Sequence, residues 1–237
     1  MKGASASGQN AKVFAASLQA ALTGNFAQGK RMRLIADRLT ASRGSEPIFA
    51  DLSLTVETGE ALIVTGPNGI GKSTLLRVIA GLLKADSGTV TLDGGPEEAE
   101  TLAEACHYLG HRNGMKRELT VAENLSFWQR FMAAPALAVE EAADAVGLAT
   151  VLSLPYGYLS AGQQRRIAMA RLLVSHRPIW ILDEPTAALD VASEARFGGM
   201  VEAHLRTGGL ALIATHQPLA ISTQREFAMT AGLSVSV

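Results

Sequence analysis

Gly66-Pro67-Asn68-Gly69-Ile70-Gly71-Lys72-Ser73-Thr74 lies between an apolar strand candidate, Ala61 to Thr65, and a helical pattern that starts at Lys72. A phosphate-binding loop needs that context: a strand, a glycine-rich turn and a helix N-terminus. Gly66, Gly69 and Gly71 let the backbone turn tightly and aim its N–H groups inward, where the positive end of the helix helps them stabilise phosphate oxygens. In such a loop the lysine reaches the β- and γ-phosphates and the serine holds Mg²⁺, so Lys72 and Ser73 make nucleotide binding the first expectation.

Composition bounds what surrounds this loop. With 237 residues, 48% of them hydrophobic, the chain can bury a large core, as one domain or as one domain carrying an insertion. A net charge of −1 argues against a broad electrostatic footprint for nucleic acid, and no nucleic-acid partner is expected. Cys106 is the single cysteine, which excludes an internal disulfide and a multi-cysteine metal site and fits a reducing compartment. No apolar run approaches the about 20 residues that span a bilayer, so work at a membrane requires another chain to do the spanning. Residues 1–31 contain no Asp or Glu, are rich in Ala, Ser, Gly, Gln and Asn, and lack the continuous apolar stretch of a signal peptide. They are expected to be a disordered or non-native extension; an organellar targeting segment and a mis-set start ahead of Met32 are the alternatives.

From Met32 the pattern is orderly. Residues 32–40 and 48–56 read as strands around a polar turn at 42–47, and 88–93 as another strand between Asp-Ser-Gly and Asp-Gly-Gly turns. The helix after the loop runs to a stop near Gly81. Residues from about 97 to 176 carry several helical patterns and almost no strand signal, after which strands return at 178–182 and 210–215. A parallel sheet around the loop, with a helical insertion between its strands, accounts for this order.

Two further constellations narrow the chemistry. Ile179-Trp180-Ile181-Leu182 is a buried-strand run ending in Asp183-Glu184, adjacent carboxylates that strand alternation points in different directions. With a phosphate loop in the same chain, Asp183 is suited to hold Mg²⁺ and Glu184 to polarise an attacking water. Leu159-Ser160-Ala161-Gly162-Gln163 precedes a helical run, so Ser160 stands at a helix N-terminus, where a hydroxyl either caps the helix or binds phosphate with the nearby backbone N–H groups.

With Ser160 placed 23 residues before Asp183, the chain resembles the ATP-binding-cassette (ABC) ATPases, whose Leu-Ser-Gly-Gly-Gln signature it carries with Ala161 at the first glycine. Ala188-Leu189-Asp190 resembles the D-loop, and His216 the switch histidine that contacts the γ-phosphate. The resemblance implies an α/β P-loop NTPase fold: a parallel-sheet core, an antiparallel β subdomain and an inserted helical subdomain at about 97–176, within an ATPase domain of 32–237. It also implies a head-to-tail homodimer that sandwiches two ATP molecules with Mg²⁺. Gly66, Pro67, Asn68, Gly69, Ile70, Gly71, Lys72, Ser73 and Thr74 of one copy would then face Ser160, Gly162, Gln163 and Asp190 of the other. Glu184, His216 and Lys72 would serve catalysis, and Ser73 and Asp183 the metal.

Two positions depart from the general family. His111 stands where most members have the Q-loop glutamine, and Arg43 where an aromatic residue stacks on adenine; a guanidinium can also stack on a base. The departures are shared with one branch. Leu109 to Lys116, Glu118 to Leu125, Leu159 to Arg166 and Thr215-His216-Gln217-Pro218-Leu219 resemble the ATPase of the cytochrome c maturation system, the haem exporter ATP-binding family. That likeness implies a peripheral ATPase on the cytoplasmic face of the bacterial inner membrane, energising haem export or release of a haem-loaded chaperone through separate permease subunits. Cys106, His107 and His111 suggest haem, yet no C-x-x-C-H is present and direct haem ligation is not expected. Phe127, Trp128, Phe131 and Met132 recur at helical spacing in the segment where such ATPases meet a permease; a stripe of this kind is more often core than interface. A cassette acting on ribosomes or DNA would need a second cassette or a coiled-coil insertion, and a P-loop kinase or GTPase would have no use for Asp183-Glu184 and the signature.

Overall fold

Three strands pair antiparallel in the order β2-β1-β4: β1 (Arg33–Arg43), β2 (Glu46–Glu57) and β4 (Ser87–Asp93). Five others, β3 (Ala61–Thr65), β5 (Cys106–Leu109), β6 (Ile179–Asp183), β7 (Leu210–Ala214) and β8 (Gln224–Ala228), form an all-parallel sheet in the order β5-β6-β7-β3-β8. The computed structural model describes Leu18, residues 31–97 and residues 99–230. Apart from Leu18 and Arg31, the N-terminal extension expected at 1–31 lies outside the described residues.

The central parallel strands β3, β6 and β7 read as nearly unbroken apolar runs because both of their faces are covered. Alternation along β3 sends Ala61 and Ile63 into one core and Leu62 and Val64 into another, and β6 divides likewise, with Trp180 and Leu182 opposite Ile179 and Ile181. The first core lies under α3 (Val121–Met132), α4 (Val139–Ala145), α5 (Ala161–Ala170) and α6 (Val191–Arg206). The second is closed by α1 (Lys72–Ile79) and by β1 and β2, through Leu34, Leu39, Leu54, Leu75 and Ile79.

Two strands escaped the sequence pattern. β5, only four residues long, follows directly on the one-turn helix α2 (Leu102–Ala105), so no alternation develops over Cys106-His107-Tyr108-Leu109. β8 is an edge strand with the pattern Gln-Arg-Glu-Phe-Ala, in which Phe227 alone is buried. The turn expected at 42–47 is shorter, because β1 and β2 stay paired out to Arg43 and Glu46.

The aromatic stripe on α3 does not enter the core as a unit. The buried side of this helix is Val121, Asn124 and Leu125, and one hundred degrees per residue places Phe127 and Phe131 on its flank, beyond Asn124, where they are 44% and 67% exposed. Trp128 packs partly against the core and donates from Nε1 to Gly114 O at 2.8 Å. Capping fixes where the helices start. At α3, Glu123 N donates to Thr120 Oγ1 at 3.1 Å and Thr120 N donates to the Glu123 carboxylate at 2.7 Å. Buried Asn124 then clamps the preceding loop, accepting from Lys116 N and donating to the Lys116, Leu119 and Thr120 carbonyls.

Candidate active site

The parallel order brings the C-terminal ends of β3, β6 and β7 side by side, with Asp183 in register with Ala214, the crevice where open α/β sheets bind ligands. From β3 the chain turns into α1 through residues 66–71. Gly71 is the helix N-cap with φ +113°, and a Cβ there would overlap Ile48, so only glycine both adopts the turn and lets β2 approach. No side chain caps α1 and no acidic residue sits in its first turn, which leaves the helix N-terminus directed at the loop. Lys72 is buried and bends back over the turn, its Nζ donating to Gly66 O at 2.7 Å and Pro67 O at 3.1 Å.

Ser73 Oγ donates to Asp183 Oδ1 at 3.0 Å, joining the loop to the end of β6 across 110 residues of sequence. Asp183 is buried; Glu184 is partly exposed and sits at φ +46°, a conformation that costs a side-chain-bearing residue on the order of 1–3 kcal/mol. Its N–H is held by Ala214 O at 2.8 Å. His216 follows β7 in a turn braced by Gln217 N donating to Thr215 Oγ1 at 3.1 Å and by Thr186 Oγ1 donating to Gln217 Oε1 at 3.2 Å. His216 Nε2 lies 3.1 Å from Lys72 Nζ and 3.4 Å from Glu184 Oε1. An ammonium can only donate and a carboxylate can only accept, so Nε2 would have to accept from Lys72 and donate to Glu184, and it serves one of them at a time. Lysine, histidine and carboxylate are thereby held at one point.

Apart from His216, which stands beside it, these groups border a cleft of about 540 Å³ lined by Asn68, Gly69, Ile70, Gly71, Lys72, Ser73, Thr74, Asp183 and Glu184 on one wall and Arg43, Glu46, Pro47 and Ile48 on the other. Arg43 therefore reaches the cleft wall from the β1–β2 hairpin. Glu46, Pro47 and Ile48 were not singled out in the sequence, because a hairpin tip carries no motif that ties it to a loop 20 residues later.

The remaining predicted residues lie elsewhere. Ser160 is exposed as the N-cap of α5, its Oγ accepting from Gln163 N at 3.3 Å while its own N–H donates to Gln163 Oε1 at 2.9 Å. The turn after Ser160 passes close to the 188–190 segment, since a Cβ on Gly162 would stand 3.1 Å from Ala188 O. Asp190 caps α6 by accepting from Ser193 N at 2.8 Å, and hydrogen bonding to the Ser193 hydroxyl, with that N–H, holds its carboxyl below the usual range. His111 is exposed in the loop after β5. None of Ser160, Gly162, Gln163, Asp190 and His111 lines the cleft of its own chain. Cys106 and His107 are buried, and burial pushes the Cys106 thiol up to about 12, well away from the reactive thiolate.

Both the fold and the site define a P-loop ATPase of the cassette type. The family model described as ABC transporter matches residues 49–187, and the chain belongs to that family, whose members hydrolyse ATP. Among solved structures, an ATP-binding subunit of an ABC transporter aligns with a TM-score of 0.69 at 21% identity, covering 77% of this chain and 79% of that one. An ATP-binding cassette solved as a dimer in a post-hydrolysis state with ADP and Pi aligns with a TM-score of 0.67 at 25% identity, covering 78% and 88%. Curated relatives are nearer. The cytochrome c biogenesis ATP-binding export protein CcmA of Rhizobium meliloti is 58% identical over 203 residues, 84% of this chain and 98% of that protein. The protein of the same name from Brucella abortus is 56% identical over 190 residues, 80% and 88%. Within the ABC transporters, this chain belongs to the family of the cytochrome c biogenesis ATP-binding export proteins.

Proposed function

We propose that this chain is the ATP-hydrolysing subunit of an export system for c-type cytochrome biogenesis, working as a head-to-tail homodimer beneath separate membrane subunits. The observation that carries the proposal is the convergence of Lys72, Ser73, Asp183, Glu184 and His216 within a few ångströms, while the Ser160 turn stays outside that cleft. A cleft complete in its phosphate, metal and base groups, and lacking only the signature, is what a site closed by a second copy requires.

In this reading Lys72 moves from the Gly66 and Pro67 carbonyls to the β- and γ-phosphates of ATP, exchanging ion–carbonyl contacts for stronger contacts between opposite charges. Ser73 and Asp183 offer a hydroxyl and a carboxylate 3.0 Å apart, hard oxygen donors that suit Mg²⁺, an ion that keeps most of its waters and takes few protein ligands. When bound there, Mg²⁺ neutralises charge on the β- and γ-phosphate oxygens. Glu184 orients the attacking water and accepts its proton, and His216, once Lys72 has moved to the phosphates, donates from Nε2 toward the γ-phosphate beside the Glu184 carboxylate. Arg43, with Ile48 and Pro47, forms the wall against which the base stacks. Ser160, Gly162 and Gln163 of the partner copy close on the same nucleotide, Asp190 borders the junction, and His111 takes the Q-loop position.

No helix among the described residues is long and apolar enough to cross a membrane. The proposed place is the cytoplasmic face of the inner membrane, held by permease subunits that carry haem or release a haem-loaded chaperone. The test is a haem stain of c-type cytochromes in cells lacking the chain, rescued with wild type or Glu184→Gln. Loss of stain restored by wild type alone supports ATP-driven cytochrome c maturation; an unchanged stain in a host with no second copy moves the cargo elsewhere.

A further inference from the structure

Arg165 lies in the first half of α5, 6% exposed, with every guanidinium nitrogen engaged. Nε donates to Pro185 O at 2.9 Å; Nη1 donates to Gly110 O at 2.9 Å and Asn113 Oδ1 at 3.0 Å; Nη2 donates to Asp183 O at 3.1 Å and Glu184 O at 2.7 Å. Five contacts match the five N–H donors of one planar fork. A lysine, with three donors on a single nitrogen, could not reproduce that spread. Burial draws the Arg165 pKa below its ordinary value, Asp183, Tyr156 and Glu184 acting in the other direction, and an arginine lowered from so high a starting point remains a cation.

Burying a charge against four backbone carbonyls and one amide is unfavourable unless the geometry is well satisfied, so the choice of oxygens is informative. They belong to two segments, and Arg165 supplies the third. Gly110 directly precedes His111, Asp183 to Pro185 carry the two carboxylates, and α5 begins at the Ser160 turn. The carbonyl nearest to Arg165 is that of Glu184, the residue held at φ +46°. A strained backbone persists only where its surroundings over-determine it. Here the residue is gripped on both sides, its N–H by Ala214 O and its carbonyl by Arg165.

We propose that Arg165 is a positioning residue for hydrolysis: it locks the Glu184 peptide so that the carboxylate faces His216 and the γ-phosphate, and ties that posture to the 110–113 loop and the signature helix. The inference rests on the reading of Glu184 as the base. Packing alone would predict a loss of stability; positioning predicts a loss that runs through Glu184.

The test uses the purified full chain with Arg165→Gln and Arg165→Lys, each alone and combined with Glu184→Gln. Turnover of MgATP, affinity for a fluorescent ATP analogue and the thermal midpoint are measured on each. With Glu184 intact, Arg165→Gln lowers kcat by about tenfold or more while nucleotide affinity stays within about threefold, and Arg165→Lys falls between that and wild type. In the Glu184→Gln background, the single-turnover rate falls less than about twofold when Arg165 is replaced, because residues acting as a unit are not additive. An equal fold loss in both backgrounds, or a loss carried by nucleotide affinity with kcat kept, overturns the positioning role. Should Arg165→Gln not fold, the Arg165→Lys pair makes the same comparison. Failure of the underlying reading is seen separately: wild-type turnover by Glu184→Gln alone removes Glu184 as base and this proposal with it.

Discussion

Lowering pH from 7 to 5 should remove about 4 kcal/mol of folding stability through two buried histidines. His107 and His204 are 1% and 2% exposed, and desolvation takes each pKa from 6.5 down to about 3. Burial holds each imidazole neutral in the fold and outweighs the nearby carbonyls that favour charge, Ser175 O at 2.9 Å from His107 Nε2 and Leu210 O at 3.2 Å from His204 Nε2; Arg171 and Arg177 add to the depression at His107, and the His204 ring stacks 4.1 Å from Trp180. A depressed pKa means that the unfolded chain binds the proton first, so stability is present above pH 6.5 and is lost as pH falls toward 3. At pH 7 each group has forfeited about 0.2 kcal/mol and at pH 5 about 2 kcal/mol, a mean slope near 0.9 kcal/mol per unit per histidine that steepens toward about 1.4 at pH 5. Half-buried His176 is lowered by the same desolvation and adds in the same direction. The total is a large share of the 5–15 kcal/mol typical of a domain. Urea unfolding followed by tryptophan fluorescence at pH 7, 6 and 5 measures it, with His204→Gln reducing the pH-dependent part by about 2 kcal/mol. A stability flat to within about 1 kcal/mol over this range, or a pH dependence unchanged in both His107→Gln and His204→Gln, would refute the reasoning.

Three more expectations bear on the site. Glu184→Gln should lower kcat by about 10²- to 10⁴-fold while leaving ATP affinity intact and accumulating closed dimers with ATP, read by steady-state turnover and size-exclusion chromatography. Mixing equal amounts of Lys72→Ala and Ser160→Arg chains, each inactive alone, should restore about a quarter of wild-type turnover, since half of the dimers carry one intact composite site of two; no recovery would mean that the signature does not act across copies. Cys106 should resist alkylation at pH 8 in the folded protein and react in urea, because its thiol is buried and pushed up to about 12; equal labelling in both states would contradict that burial.

The central strands and the phosphate loop were legible because their signal is local. Ala61 to Thr65 and Ile179 to Leu182 are apolar on both faces, and the glycine spacing at 66–71 has a backbone reason that no neighbour can change. β5 and β8 were hidden for the opposite reason: four residues at the end of a one-turn helix, and an edge strand facing outward at most positions, owe their conformation to the strand they pair with. Arg165 is the sharper case. It reads as an ordinary polar residue beside Arg166, and only the three-dimensional meeting of segments around 110, 165 and 184 makes it a hub. Asp190 and Ser160 show the reverse, residues whose sequence context fits phosphate chemistry and whose observed contacts are helix caps. For Ser160 the two roles are compatible, since a cap engages the hydroxyl as an acceptor through one lone pair and leaves its proton free to donate.

The same contacts bear on how a membrane subunit could influence hydrolysis. Phe127 and Phe131 stack at 5.6 Å on the exposed side of α3, and Trp128 meets both edge-on while Arg171 lies over its ring at 4.4 Å. Trp128 is bonded to Gly114 O, in the loop whose other end, at Gly110 and Asn113, is held by Arg165. Pressure on the aromatic face would therefore reach the loop bearing His111 and, one residue further through the guanidinium, the peptide of Glu184. Spatial continuity alone does not make a signal; what makes one is an element with two arrangements that both ends bias. The Glu184 peptide is the candidate for that element, because a left-handed backbone held by two hydrogen bonds can relax when either is withdrawn. A permease that moved the 110–116 loop would then act on the geometry of the base, with the nucleotide already bound.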